Sequence, residues 1–254
     1  MPSGPILIVD DEPINLQALR AVLGEHYPLV FARNGALRDR IVLAGKAGII
    51  PGVPYDSSAT HLVAACEASL RRMGVEHVDI FQIHRPDHFT HPEEIAGAFT
   101  TLRDRGLARF FGVSNHTPEQ TRALSAFVGD SLVSTQPEFS CLELGPMRDG
   151  TLDNSMAQGL TPLAWSPLAG GRLATGDGVS PELLSVLDEI ALRERVTRAA
   201  IAVAFVFAHP SRPVALVGTQ QAGRLVELSA ATKVSLSRTD VYRIVQASDG
   251  RPLP

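Results

Sequence analysis

Eight short apolar, β-rich runs punctuate this chain, and amphipathic helical stretches separate most of them. No other feature constrains the fold as much. The runs are 6–10 (ILIVD), 28–32 (PLVFA), 41–44 (IVLA), 78–83 (VDIFQI), 109–113 (RFFGV), 132–136 (LVSTQ), 161–165 (TPLAW) and 214–218 (VALVG). Several are continuously apolar, as expected of strands buried on both faces of a parallel sheet. Between them, Leu62, Cys66, Leu70 and Met73 recur at helical spacing, as do Ile95, Phe99 and Leu102. Thr117-Pro118-Glu119-Gln120 reads as a capping box with proline at the first helical position. Ser180-Pro181-Glu182 opens what reads as one long helical segment towards His209, and Leu16, Leu19 and Leu23 mark a helix after Pro13.

Repeated strand–helix units with eight strands predict an α/β fold of the closed (β/α)8 TIM-barrel kind. The length of 254 residues suits one such barrel. One crossover is short: only residues 33–40 separate the second and third runs, where a parallel connection normally takes about ten to twelve residues. The alternative is an open doubly wound sheet, which eight strands without a glycine-rich dinucleotide fingerprint disfavour.

Composition narrows the function classes. A formal net charge of -4 offers no basic stripe for nucleic acid. No apolar run approaches the roughly 20 residues of a membrane span. The apolar stretch Ile6 to Val9 ends in acids, so it does not read as a signal peptide. Cys66 and Cys141 lie far apart without metal or redox spacing. Reduced thiols in a cytoplasmic protein are the expectation.

From about Leu37 to Pro254 the chain resembles the aldo-keto reductases. The matching pieces, in the family's order, are AGKAG at 44–48, SLRRMGVEHVDIFQIHRPD at 69–87 and FFGVSNHTPEQ at 110–120. STQPEFS at 134–140, LAWSPLAGG at 163–171 and VGTQQAGRL at 217–225 follow. The resemblance implies a single barrel that binds NADPH and passes hydride to a small-molecule carbonyl substrate. Residues 1–36 are different: ILIVDDEPINLQALRAVLGEHYPLVFARNG resembles the first β-α-β of a response-regulator receiver domain, with Asp10 and Asp11 at its acidic Mg²⁺ pair. The chain therefore reads as a chimera in which receiver-like strands replace the first two of the barrel. The receiver's phospho-acceptor position is not matched, because the third run leads into Lys46.

Carbonyl reduction needs hydride on carbon and a proton on the developing oxyanion, so a tyrosine acid must be sharpened by a nearby cation. The resemblance implies a tetrad of tyrosine, lysine, histidine and aspartate. Lys46 matches the lysine and His84 the histidine that orients the carbonyl. The aspartate and tyrosine belong to the replaced part, where the sequence reads LVFARNG and holds neither. Asp10, Asp11 and Tyr55 are the candidates to stand in. Losing the general acid costs about 10²–10⁴ in rate, so impaired catalysis is expected, and a non-catalytic NADPH-binding barrel is the alternative.

The cofactor half is more complete. By the same resemblance, Ser114, Asn115 and Gln136 pin the nicotinamide carboxamide and Trp165 stacks on the ring. Ser166, Pro167, Leu168 and Gly170 continue a loop over the pyrophosphate. Gly218 and Thr219 end the last strand, and Arg224, opening the next helix, suits the 2′-phosphate. No metal ligand set is expected.

Overall fold

A computed structural model describes residues 42–219 and 221–253. The expected strands at 6–10 and 28–32, the helix after Pro13, the short crossover and the receiver-like segment lie outside the described residues. The chain divides into two compact units, with the boundary between Thr135 and Gln136.

The first unit is built on parallel strands with helices between them. β1 (Ala44–Ala47), β4 (Val78–Ile83), β5 (Ala108–Ser114) and β6 (Leu132–Gln136) follow one another in the sheet in that order. β1 pairs with β4, and β4 with β5, both in parallel. Each crossover helix is stopped and started by local chemistry. The Ser58 hydroxyl accepts from the His61 N–H to open Ala59–Met73, and Gly74, at φ 66°, ends it. His91 caps Pro92–Asp104 through its Nδ1. The box at Pro118–Val128 forms as its sequence implies: Gln120 N–H donates to Thr117 Oγ1 at 3.2 Å, and Thr117 N–H donates to Gln120 Oε1 at 2.9 Å.

The apolar helix faces read from the sequence are the buried ones except at Met73, which is half-buried at the end of its helix. Leu62, Cys66 and Leu70 are buried on one helix, Ile95, Phe99 and Leu102 on the next. Phe99 stacks on Phe111 of β5 with ring centroids 4.1 Å apart. Each such side chain contributes about 1.5–3 kcal/mol by leaving water.

Two details depart from expectation. The run at 41–44, whose first residue lies outside the described residues, leads into a strand at Ala44–Ala47, which runs past its expected end to take in Lys46. Ahead of it, the Asp79 carboxylate accepts the Leu43 N–H at 2.9 Å, and the Leu43 carbonyl accepts the Asp79 and Ile80 N–H groups at 2.8 and 3.1 Å, so Leu43 is tied to β4 as well. A small antiparallel hairpin, β2 (Ile49–Ile50) with β3 (Val53–Tyr55), follows β1. Ile49, Val53 and Tyr55 are exposed, so it leaves no buried periodicity to read.

The second unit is mainly helical. β7 (Thr161–Ala164) and β8 (Val214–Ala215) pair in parallel. Leu183, Leu187, Ile190, Ile201, Phe205 and Ile244 form its core with Phe139. The single helix expected from Ser180 to His209 is two helices, Pro181–Glu194 and Arg198–Phe207. Arg195 turns left-handed at φ 57°, and the Thr197 hydroxyl accepts the Ala200 N–H to restart the helix. The break separates two kinds of sequence. The first helix is amphipathic, whereas Ala199 to Val206 are all buried. The last expected strand, 214–218, is also shorter: only Val214 and Ala215 join the ladder, so Gly218 and Thr219 lie beyond its end.

Candidate active site

In the first unit, parallel pairing gathers four of the expected residues at neighbouring strand ends. Lys46 lies in β1 and is half-buried. His84 follows β4 directly, and its N–H donates to the Ala47 carbonyl at 2.8 Å, extending the β1–β4 ladder by one rung. Ser114 closes β5 and is buried. Asn115 takes a left-handed backbone at φ 58°, and its Nδ2 donates to Ser114 Oγ at 2.8 Å and to the His84 carbonyl at 3.5 Å. Lys46, His84, Ser114 and Asn115 thus sit on three adjacent strand ends, where α/β barrels concentrate chemistry.

The loop after His84 is anchored by a residue that motif reading passed over. Asp87 accepts from the Ser57 N–H at 2.9 Å, the Phe89 N–H at 3.0 Å and the Thr90 hydroxyl at 2.8 Å. Burial pushes its carboxyl up, but the Ser57 and Phe89 amides with the Thr90 hydroxyl outweigh that and hold it below the usual range. Its signal was local: Asp87 followed by Phe89 and Thr90 has the spacing of an Asx turn. His116, two residues beyond Ser114, is buried with its Nδ1 3.0 Å from the Ser114 carbonyl. Burial lowers its pKa to about 4, so the ring is neutral near neutrality.

The second unit presents its candidates on irregular backbone. Gln136, the last residue of β6, is buried. Trp165 lies just past β7 and is half-buried; its N–H donates to the Pro137 carbonyl at 3.0 Å, and its own carbonyl accepts the Phe139 N–H at 3.3 Å. Ser166, Ala169 and Gly170 all have positive φ, at 53°, 49° and 69°. The Ser166 hydroxyl accepts the Gly170 N–H at 3.0 Å, closing the turn around buried Pro167 and half-buried Leu168. Gly218 is exposed, and Thr219 Oγ1 accepts the Gln221 N–H at 3.2 Å. Arg224 is exposed in the first turn of Ala222–Ser229. Tyr55, proposed as a stand-in acid, is exposed in the hairpin, while Asp10 and Asp11 lie outside the described residues.

Both cysteines are free and buried, and burial pushes the Cys66 thiol up to about 12. Among the described residues, no group of three or more His, Cys, Asp or Glu could hold a metal ion, and no helix is long and apolar enough to cross a membrane.

The sequence profile of the Aldo/keto reductase family matches residues 16–249, and the chain belongs to that family. The match begins ahead of residue 37 and overlaps the second half of the receiver-like segment. A 6-dehydroglucose reductase of Novosphingobium aromaticivorans is 43% identical over 235 residues, spanning 92% of this chain and 76% of the relative. A 6-dehydroglucose reductase of Agrobacterium fabrum is 32% identical, over 85% of this chain and 75% of the relative. The crystal structure of the thermostable aldo-keto reductase Tm1743 with the inhibitor epalrestat superposes with a TM-score of 0.79. It covers 97% of this chain and 95% of that one at 21% identity, so the fold is the TIM-barrel-like fold of that family.

Proposed function

We propose that this protein is an NADPH-binding carbonyl reductase with a reduced catalytic set, Lys46 and His84, acting on an oxidised sugar. The observation that carries the reading is the convergence of Lys46, His84, Ser114 and Asn115 at adjacent strand ends. The sugar is suggested by the two relatives described as 6-dehydroglucose reductases.

The described residues suit a dinucleotide. The turn at Ser166–Gly170 carries a glycine whose missing Cβ would meet nothing within 4 Å, leaving its backbone open to close approach. Ser114, Asn115 and Gln136 supply amide and hydroxyl groups for a carboxamide, Trp165 supplies a stacking face, and Arg224 supplies a guanidinium for a phosphate. The chemistry that the bound cofactor provides is hydride delivery to a carbonyl carbon. His84 orients the carbonyl oxygen, and the Lys46 ammonium stabilises negative charge developing there. The segment before Lys46 contributes neither the aspartate nor the tyrosine of the family pattern, so proton delivery is the weak step and turnover is slow.

Trp165, the sole tryptophan, makes the reading testable. NADPH titration should quench its emission saturably and more strongly than NADH, and 6-dehydroglucose should be reduced with a rate at least about 10²-fold below that of an intact relative. A folded sample without quenching overturns the cofactor assignment; quenching without any turnover turns the protein into a non-catalytic NADPH binder. A working phosphorelay receiver is a third reading, which a shift in intact mass after incubation with a small phosphodonor would support and an unchanged mass would remove.

A further inference from the structure

We infer that His116 is a positioning residue for Ser114 and Asn115: donating from Nδ1 to the Ser114 carbonyl, it holds the backbone that carries the two side chains assigned to the nicotinamide carboxamide. The inference rests on that assignment.

The connection to which His116 belongs is short. The β4–β5 ladder runs as far as Val113, paired with Ile83. Thr117 is the N-cap of Pro118–Val128 and is held by both bonds of its capping box. Three residues therefore make the turn between a fixed strand end and a fixed helix start. Asn115 does so at φ 58°. That left-handed backbone is costly for any residue with a Cβ, and it persists only where its surroundings over-determine it. The Asn115 side chain supplies part of the restraint, through Nδ2 to Ser114 Oγ at 2.8 Å and to the His84 carbonyl at 3.5 Å.

His116 supplies the restraint on the backbone. Its Nδ1 lies 3.0 Å from the Ser114 carbonyl oxygen, and the residue is only 8% exposed. A carbonyl oxygen only accepts, so Nδ1 carries the hydrogen. Burial keeps the ring neutral near neutrality, which makes this its single N–H: the bond selects the tautomer, and the tautomer commits its donor to the turn. Because the peptide unit is planar, fixing the Ser114 carbonyl also fixes the Asn115 N–H. The position before an N-cap is often apolar and packs onto the helix it precedes. A buried histidine bonded backward, to the strand end, serves Ser114 instead.

Asparagine and glutamine separate the two ring nitrogens, since an asparagine amide reaches the place of Nδ1 and a glutamine amide the place of Nε2. Calorimetric titration with NADPH should find His116→Asn close to wild type. His116→Gln and His116→Leu should bind about tenfold more weakly, the loss expected for one buried hydrogen bond. A space-filling role alone would reverse that order, because glutamine is nearer to histidine in volume. 2′-Phospho-ADP-ribose, which keeps the phosphates and lacks the nicotinamide, should bind every variant as it binds the wild type. NADPH affinity unchanged in all folded variants overturns the inference, as does a loss that glutamine repairs as well as asparagine, or a loss shared by both ligands. Should His116→Leu fail to fold, the asparagine and glutamine variants decide. The two ligands also keep the readings apart. A wild type that binds both, with variants that bind NADPH equally well, faults His116 alone; a folded wild type that binds neither faults the cofactor assignment and this inference with it.

Discussion

Two glycines, one in each compact unit, show how differently the candidate residues of each unit are held. Gly112 sits in β5 among buried side chains, and a Cβ there would lie 2.2 Å from Ser134 Oγ. Its backbone is ordinary strand; its smallness is what the packing requires. Gly170 is the reverse, with nothing within 4 Å of a would-be Cβ but a φ of 69° that only glycine adopts freely. The first unit therefore positions its candidates by ladder register and close packing. The second positions them by left-handed backbone in a turn closed through the Ser166 hydroxyl. Strand ends suit groups that must act on one atom, and an open turn suits a long anionic ligand met by backbone N–H groups.

Acid should separate the units most strongly. His116 is buried neutral in the first unit, with its pKa pushed down to about 4 by burial. Between about pH 6.5 and 4 the unfolded chain binds a proton there that the folded chain does not, so stability falls on acidification by roughly 3 kcal/mol. His116→Phe should flatten that part of a pH series of thermal melts. In the second unit, Asp240 receives both arms of the Arg193 guanidinium at 2.8 Å and caps its helix through Ser237. The Arg193 guanidinium and the Ser237 groups hold its carboxyl far below the usual range despite burial. That contribution is present above the ordinary carboxylate pKa and disappears only as pH drops below about 4. Asp240→Asn should therefore cost most at pH 7 and progressively less as pH falls below about 4, in a window His116 does not touch.

The glycines come next in size. Gly112→Ala should destabilise by about 1–3 kcal/mol in denaturant titration through overpacking, and Ser134→Gly in the same chain, which relieves the 2.2 Å clash but removes the acceptor of the Gln82 Nε2 hydrogen bond, should restore part of the loss. Gly170→Ala should cost about 1 kcal/mol from its backbone conformation; no neighbour substitution should repair it, whereas Gly170→Asn, which tolerates positive φ, should do better than alanine. Repair of Gly170→Ala by trimming a nearby side chain would erase the contrast. The smallest effect is the most selective: Arg224→Ala should weaken NADPH about tenfold and NADH hardly at all, read by Trp165 quenching. An equal loss for both would remove Arg224 from the phosphate assignment.

Much of this architecture was legible because parallel strands buried on both faces are written as continuous apolar runs. VDIFQI and LVSTQ became β4 and β6 without a shift, and the Thr117 box formed both of its bonds. The long helix after Ser180 is broken within the polar stretch Arg193 to Arg198, where Arg195 turns left-handed and Thr197 caps the next helix, a stop and a start that reading one continuous segment passed over. The β2–β3 hairpin was silent because its side chains face solvent. Among the candidate residues, Lys46, His84 and Trp165 could be named from their order along the chain. Asp87 and His116 could not, since what sets them apart is three converging donors and a ring bonded back to a buried strand end.

By itself, then, the amino-acid sequence determined the family, the strand–helix alternation and which residues are candidates for chemistry, because these depend on residue type and local spacing. Which of those groups stand together was decided only by tertiary structure. Lys46 and Gln82 are 36 positions apart and become neighbours through a parallel register that no local pattern encodes. The same holds for Gly112, whose need to be glycine comes from the Ser134 hydroxyl on another strand. Long-range pairing sets these contacts through packing and hydrogen-bond satisfaction summed over the sheet, and that sum exists only once the strands have met.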